Sequence, residues 1–338
     1  MIKQVLFLLK ETVKEWNDDG ATHIAAALAY YAIFSLSPLL ILIALLLGLV
    51  MDQRAAASSL VQNIELTLGQ QAAQLIGTLL ENRTTTSDVV GSLVWLGIMI
   101  WGASGLFAQL QTALNKIWEV RARPGRSPLT LVKTRLQSFV VVVLAAVTLL
   151  GTTVLNAALN SSLERTQPVE YLVLEEGGNR EAVLGSTAPL AVIISVRVAQ
   201  FVLSLAVITF LVGLVYQVLP DVEIHWRDVI VGAAFTGVLL YLGQFAVGLY
   251  LSRANVGSVF GAAGSLTVIL VWIYYTAQIL LFGAEFTEVW ARYHGGHIQP
   301  DGDAVWENEY KAKREAERGR KLPAEVSGNP ASSDRYLQ

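Results

Sequence analysis

The sequence predicts an all-α, polytopic membrane protein with six transmembrane helices, both termini cytoplasmic, and amphipathic helices at the interfaces. Three observations predict it. The chain is 54% hydrophobic and only 15% charged over 338 residues, against about 25% charged for an average soluble protein. Stretches without any charged residue occur at 24–51, 89–115, 136–163, 198–220, 229–252 and 254–284. A spanning helix needs about 20 mostly apolar residues, because it must satisfy its own backbone across roughly 30 Å of hydrocarbon. Finally, Lys and Arg concentrate in alternate connections.

The spans are expected at about 24–50, 89–115, 136–161, 190–219, 229–252 and 264–290, the fourth starting near Pro189 and enclosing Arg197. Orientation follows from the flanking basic residues. The connection after the second span carries Lys116, Arg121, Arg123, Arg126, Lys133 and Arg135. The N-terminal segment adds Lys3, Lys10 and Lys14, and the C-terminal segment adds Arg292, Lys311 and Lys313 among others. The loop near 52–88 holds only Arg54 and Arg83, and the loop near 161–188 sets Arg165 and Arg180 among five glutamates. These counts place both termini in the cytoplasm, with residues 1–298 forming the transmembrane domain and 299–338 a largely disordered cytoplasmic tail after a short helix.

Two further segments are amphipathic. Ile2, Val5, Leu9, Val13 and Trp16 recur at helical spacing beside lysines, as in a helix lying at the cytoplasmic interface. Leu60, Ile64, Leu68, Leu75 and Leu79 do the same between residues 57 and 80, with a break at Gly69. The start of the chain does not read as a cleavable signal peptide, because Val5–Leu9 is followed by charged residues rather than a small-residue cleavage site. No internal repeat is evident.

Composition also excludes chemistry. There are no cysteines, so thiolate metal sites and cysteine nucleophiles are absent. The net charge of −3 gives no reason to expect a nucleic-acid partner. The four histidines, His23, His225, His294 and His297, form no paired metal signature, and no nucleotide-binding or nucleophile-elbow motif is present. No cofactor, metal or catalytic residue is expected, and the chain reads as a non-enzyme.

Three stretches carry a family resemblance: AAALAYYAIFSLSPLL at 25–40, SGLFAQLQTALNKIWEV at 104–120, and GSVFGAAGSLTVILVWIYYTAQILLFGAEFTEVW at 257–290. Small, aromatic and polar residues agree in order there, where any apolar residue would satisfy a bilayer. On these the chain resembles the YihY/BrkB family of bacterial membrane proteins, once labelled ribonuclease-like, over roughly residues 1–295. The resemblance implies an inner-membrane protein, with transport or export of lipid-like molecules the usual suggestion for such proteins, and it supplies no catalytic residues. The ribonuclease label finds no support in the residues.

Polar groups inside hydrocarbon are costly and are the first candidates for function. In the sixth span, Thr267, Tyr274, Gln278 and Glu285 fall on one stripe, since eighteen residues make five turns of about 3.6 residues. In the fourth, Arg197, Gln200 and Ser204 share a face; the arginine either reaches the outer headgroups as an anchor or contacts an anionic group. The second span offers Ser104, Gln111 and Asn115, the first Tyr30 and Ser37 beside the kinking Pro38, and the fifth Gln244 with Gly237 and Gly248. Gly257–Gly264 is either a flexible turn or a close helix contact. Two readings stay open. The polar faces line the path of an amphipathic or lipid-like, anionic molecule, or they only bond helix to helix in a structural or regulatory protein. Convergence of Glu285, Gln278, Arg197 and Gln111 on one cavity would favour the first. The expected partners are membrane lipids; a homo-oligomer and an energy-coupling partner are left open.

Overall fold

The computed structural model describes residues 2–48, 52–68, 70–81, 89–123, scattered positions between 140 and 159, 170–176, 179–185, 190–254, 264–296 and 298–313. The helices are α1 (Ile2–Asp18), α2 (Ala21–Leu47), α3 (Gln53–Leu68), α4 (Gln70–Glu81), α5 (Val89–Ile117), α6 (Leu190–Val218), α7 (Trp226–Ala254) and α8 (Gly264–Tyr293). The described positions between 140 and 159 are helical as well, and most of the predicted third span lies outside the described residues. Among the described residues four helices are long and apolar enough to cross a membrane: Ala21–Leu47, Ile194–Val218, Trp226–Gln244 and Leu266–Tyr293.

Helix α8 is central, touching α1, α2, α3, α4, α5 and α7. One core joins the N-terminal half of α2, the C-terminal half of α5, the end of α6 and the middle of α8, around Leu28, Leu114, Trp118, Tyr216 and Leu281. A second core lies at the opposite end, where α3 and α4 pack as a hairpin on Leu40, Ile41, Ala44 and Leu47 of α2 and on Ile269 of α8. Leu60, Ile64 and Leu75 of the predicted amphipathic face take part, joined by Ile76 and Leu80; the side chains of Leu68 and Leu79 lie outside the described ones.

The N-terminal helix is amphipathic, and its packed face takes up only part of the predicted one, Leu9 and Trp16. Leu8 and Thr12 are buried, Leu8 against Phe286 and Val289 of α8. Val5 and Val13 are exposed at 53% and 46% together with Leu6 and Phe7. The apolar residues of α1 outnumber what one packing stripe needs, so a second apolar face is left outward, as in a helix that packs on a bundle and touches lipid as well. Pro38 sits inside α2, whose helix runs on through it from Ala21 to Leu47. Space for the proline ring comes from Gly102 of α5: a Cβ there would stand 2.9 Å from Pro38 Cγ.

Short antiparallel strand pairs embellish the helices. β2 (Glu170–Glu176) and β3 (Asn179–Gly185) form a hairpin inside the predicted acidic loop. β1 (Val120–Ala122) pairs with β6 (Ala304–Trp306), and β4 (Val222–Glu223) pairs with β5 (Gln299–Pro300). A helical stretch at 307–313 follows. These pairings extend the folded body past residue 298, the boundary that composition suggests, because β-pairing to remote loops leaves no charge or hydropathy signature. The small-residue cluster from Gly257 lies, up to residue 263, outside the described residues.

Candidate functional site

Among the described residues the predicted polar faces do not converge on one cavity. Gln111 and Asn115 of α5 are engaged in a lock on the loop after α6. Asn115 Nδ2 donates to Asp221 Oδ2 at 2.9 Å, Gln111 Nε2 donates to Asp221 Oδ1 at 3.3 Å, and the Asp221 N–H donates to Asn115 Oδ1 at 2.8 Å. Arg197 is exposed, its neighbours Ile194, Val198 and Phe201 being 53%, 54% and 44% exposed. Gln200 and Ser204 beside it are half-buried. Tyr30 is exposed in an aromatic group with Tyr31 and Phe34. Ser37 and Gln244 are half-buried, and the side chain of Ser104 lies outside the described ones.

The stripe along α8 is different. Tyr274 packs against the main core, and Thr267 is half-buried. Gln278 is half-buried with a buried Oε1 that accepts no hydrogen bond, and Glu285 is 0% exposed with both carboxyl oxygens unmet by any donor. Buried acceptors are ordinarily paired, so three unmet oxygens on one helix face stand out.

Glu285 also has company. Glu15 of α1 and Glu288 of α8 each bring a carboxyl oxygen, and with Glu285 all three lie within 4.8 Å of one another. The i, i+3 spacing of Glu285 and Glu288 sets them on adjoining faces of α8, and α1 packs along that side through Leu8 and Thr12. Arg292, one turn beyond Glu288, pairs with Glu15 and reaches Glu288 Oε1 at 3.8 Å. Asp19, at the corner between α1 and α2, also reaches Glu285, carboxyl to carboxyl, a contact that is a hydrogen bond when one of the two holds a proton. Burial pushes the Asp19 carboxyl above the ordinary carboxylate range, while the charge of Lys116 pulls it back. Lys116 Nζ donates to the Asp19 carbonyl.

Asp19 faces outward too. It lines a cleft of about 400 Å³ with Asn115, Lys116, Glu119, Arg121 and Glu307. The carboxylate group therefore sits where the C-terminal ends of α1 and α8 pack together, one residue away from an open polar cleft. Sequence reading found Glu285 but not Glu288, Glu15 or Asp19. Glu288 was available from the helical repeat, since the stripe of Gln278 and Glu285 continues to Glu288 and Arg292. Glu15 and Asp19 were not, because nothing in a single helix says which face of α1 meets α8.

A second polar arrangement holds α7 to α8. Gly232 and Thr236 on α7 oppose Thr287 and Gly283 on α8, reciprocally: a Cβ on Gly232 would lie 1.8 Å from Thr287 Oγ1, and one on Gly283 would lie 1.8 Å from Thr236 Oγ1. Each threonine hydroxyl donates back to the carbonyl of the glycine four residues earlier in its own helix, at 2.7 Å. Tyr216 Oη closes the group, donating to the Leu280 carbonyl at 2.6 Å and lying 3.2 Å from Thr236 Oγ1. This cluster is structural: each of these hydroxyls has a partner.

Comparison with known proteins places the chain in a family. The chain is similar to a UPF0761 membrane protein of Pseudomonas aeruginosa, 26% identical over 79% of this chain and 58% of the relative. It is also similar to one from Alcanivorax borkumensis, 25% identical over 81% and 58%, and to one from Psychromonas ingrahamii, 26% identical over 78% and 80%. The chain thus spans somewhat over half the length of the first of these relatives. No solved structure matches it. The family described as Virulence factor BrkB matches residues 12–305, which hold α8 and the whole carboxylate group, and the chain belongs to that family of membrane proteins.

Proposed function

We propose that the chain is a bacterial inner-membrane transporter or exporter that moves an amphipathic, lipid-like molecule along the interior face of α8, in a six-span bundle with both termini cytoplasmic. The observation that carries this reading is the unmet acceptors of Gln278 and Glu285. Polar residues that served only as glue would be paired, each contact contributing about 0.6 kcal/mol; a lining that receives a passing polar group leaves its acceptors open. The open groups suit a hydrogen-bond donor, so an anionic headgroup would be met elsewhere, by Arg197 on the outer half of α6.

The topology has a direct test, since the native chain has no cysteine. Ser127→Cys and Ser332→Cys should be shielded from an impermeant thiol reagent in intact cells, and Asn179→Cys should react. Labelling of Ser127→Cys would overturn the orientation. Transport is tested in proteoliposomes with fluorescent anionic and zwitterionic lipid analogues. Accelerated crossing that Glu285→Gln reduces at least tenfold supports the path; crossing no faster than in protein-free vesicles removes it.

A second reading, a structural or regulatory membrane protein, draws on the paired groups: the Asp221 lock and the Tyr216–Thr236 cluster both bond element to element. Arg197 divides the two. As an exposed residue among exposed apolar neighbours it suits an interfacial anchor, for which lysine has the same charge and stem. Arg197→Lys should then leave co-purified anionic lipid and detergent thermal stability unchanged. A loss of bound lipid in Arg197→Lys would instead indicate the two parallel hydrogen bonds that only arginine makes to a phosphate.

A further inference from the structure

We infer that Glu15, Glu285 and Glu288 form a binding site for a hard divalent cation, of which calcium fits best, at the end of the bundle where α1 packs on α8. Three carboxyl oxygens from two helices lie within 4.8 Å of one another. One of them belongs to Glu285, which is fully buried and has no donor at either oxygen. A buried carboxylate without a donor is costly, and a cation placed among the three groups would satisfy it.

Charge leads to the same conclusion. Glu15, Asp19, Glu285 and Glu288 contribute four carboxylates, and Arg292 and Lys116 supply two cations. Were all four ionised, two negative charges would be left over, which one divalent cation balances. Arg292 takes one side of Glu15 and Glu288, and each of these carboxylates has a second oxygen to offer. The donor set is oxygen alone, which selects against zinc or copper and for calcium, magnesium or manganese. Oxygens on opposite sides of a calcium ion, each about 2.3–2.6 Å from it, stand about 4.6–5.2 Å apart. Three oxygens within 4.8 Å of one another leave room for such an ion, and calcium's flexible coordination by carboxylates asks less of their geometry than the near-ideal octahedron of magnesium. Asp19 connects this group to the open cleft and offers the ion a route from water. The site stands on binding chemistry alone and does not depend on transport.

The experiment uses the full chain purified in detergent and stripped with chelator, with radioactive calcium as the probe and thermal unfolding as the second readout. The expected result is one calcium per chain and a melting temperature raised by calcium but not by sodium chloride of equal ionic strength. Glu285→Gln and Glu288→Gln should each weaken binding at least tenfold. Glu285→Gln should also melt higher than the calcium-free parent, because it removes a repelling charge, and should no longer respond to calcium. Glu11→Gln, on α1 but paired with Lys14, should bind as the parent does. Where Glu285→Gln does not fold, Glu15→Gln, at a partly exposed position, takes its place. Absence of bound calcium in the parent overturns the site, and a calcium-free parent stabilised by acid alone shows a cluster that holds protons only. Binding equal in the parent and the Glu15, Glu285 and Glu288 variants also overturns it, since the ion then lies elsewhere.

Discussion

Gly232→Ala should destabilise the purified protein by about 3 kcal/mol, the upper end of the cost of overpacking a close-packed contact, read as a large drop in melting temperature in detergent. The added methyl would stand 1.8 Å from Thr287 Oγ1 and 2.7 Å from Thr287 Cβ. The threonine cannot turn aside cheaply: its β-branched side chain has few rotamers, and its hydroxyl is already committed to the Gly283 carbonyl. Close approach of small residues is the main source of helix association in a bilayer, where lipid is as apolar as any side chain. The helices must therefore separate, and with them the face of α8 that carries Glu285. The decisive control is the pair Gly232→Ala with Thr287→Gly, which moves the open space to the other helix. It should recover most of the loss, less about 1 kcal/mol for a glycine inside a helix. If Gly232→Ala alone melts like the parent, the reciprocal contact between α7 and α8 does not hold the bundle.

Asn115→Leu should cost about 2–4 kcal/mol, from two hydrogen bonds to a charged or backbone partner and the half-buried groups left unmet. Leucine is close to asparagine in size, so the loss would not come from a cavity. Asn115 both accepts from the Asp221 N–H and donates to its carboxylate, a two-sided contact that Gln111 supplements but does not replace. The Asp221 carbonyl in turn accepts from the Asp301 N–H. The effect should therefore extend to the strand pair β4–β5, detected as faster hydrogen exchange at Val222, Glu223 and Asp301. Unchanged exchange there, with unchanged stability, would show the lock to be dispensable. Gln111→Leu should be milder, because it removes one long bond.

The helices were legible in the sequence because a bilayer imposes its own arithmetic: charge-free stretches at 24–51, 229–252 and 254–284 became α2, α7 and α8 with only their ends displaced. The polar stripe on α8 was legible for the same reason, its residues being fixed by helical repeat alone. What those residues face was not. Gln111 and Asn115 looked like lining but bind an aspartate more than a hundred positions away, and no pattern within α5 signals that. Arg197 interrupts an apolar span on paper, yet its side chain is exposed. The reciprocal Gly232–Thr287 and Gly283–Thr236 contacts each occupy one turn of an ordinary-looking helix and acquire meaning only as a pair. Local spacing determines faces; which faces meet is decided by packing over the whole bundle.

The strand pair β1–β6 has a consequence for how the protein is made. Val120 is paired with Trp306 and Val222 with Pro300, so the loops that follow α5 and α6 receive their partners from chain that leaves the ribosome after the last span. Helices α1 to α8 are all made while those loops still lack a mate, and this end of the molecule is fastened only after synthesis has passed residue 306. A stop codon just beyond α8 would release a protein that has helices α1 to α8 but is unlatched and so more open to proteases, whereas a tag appended after residue 313 leaves both strand pairs intact.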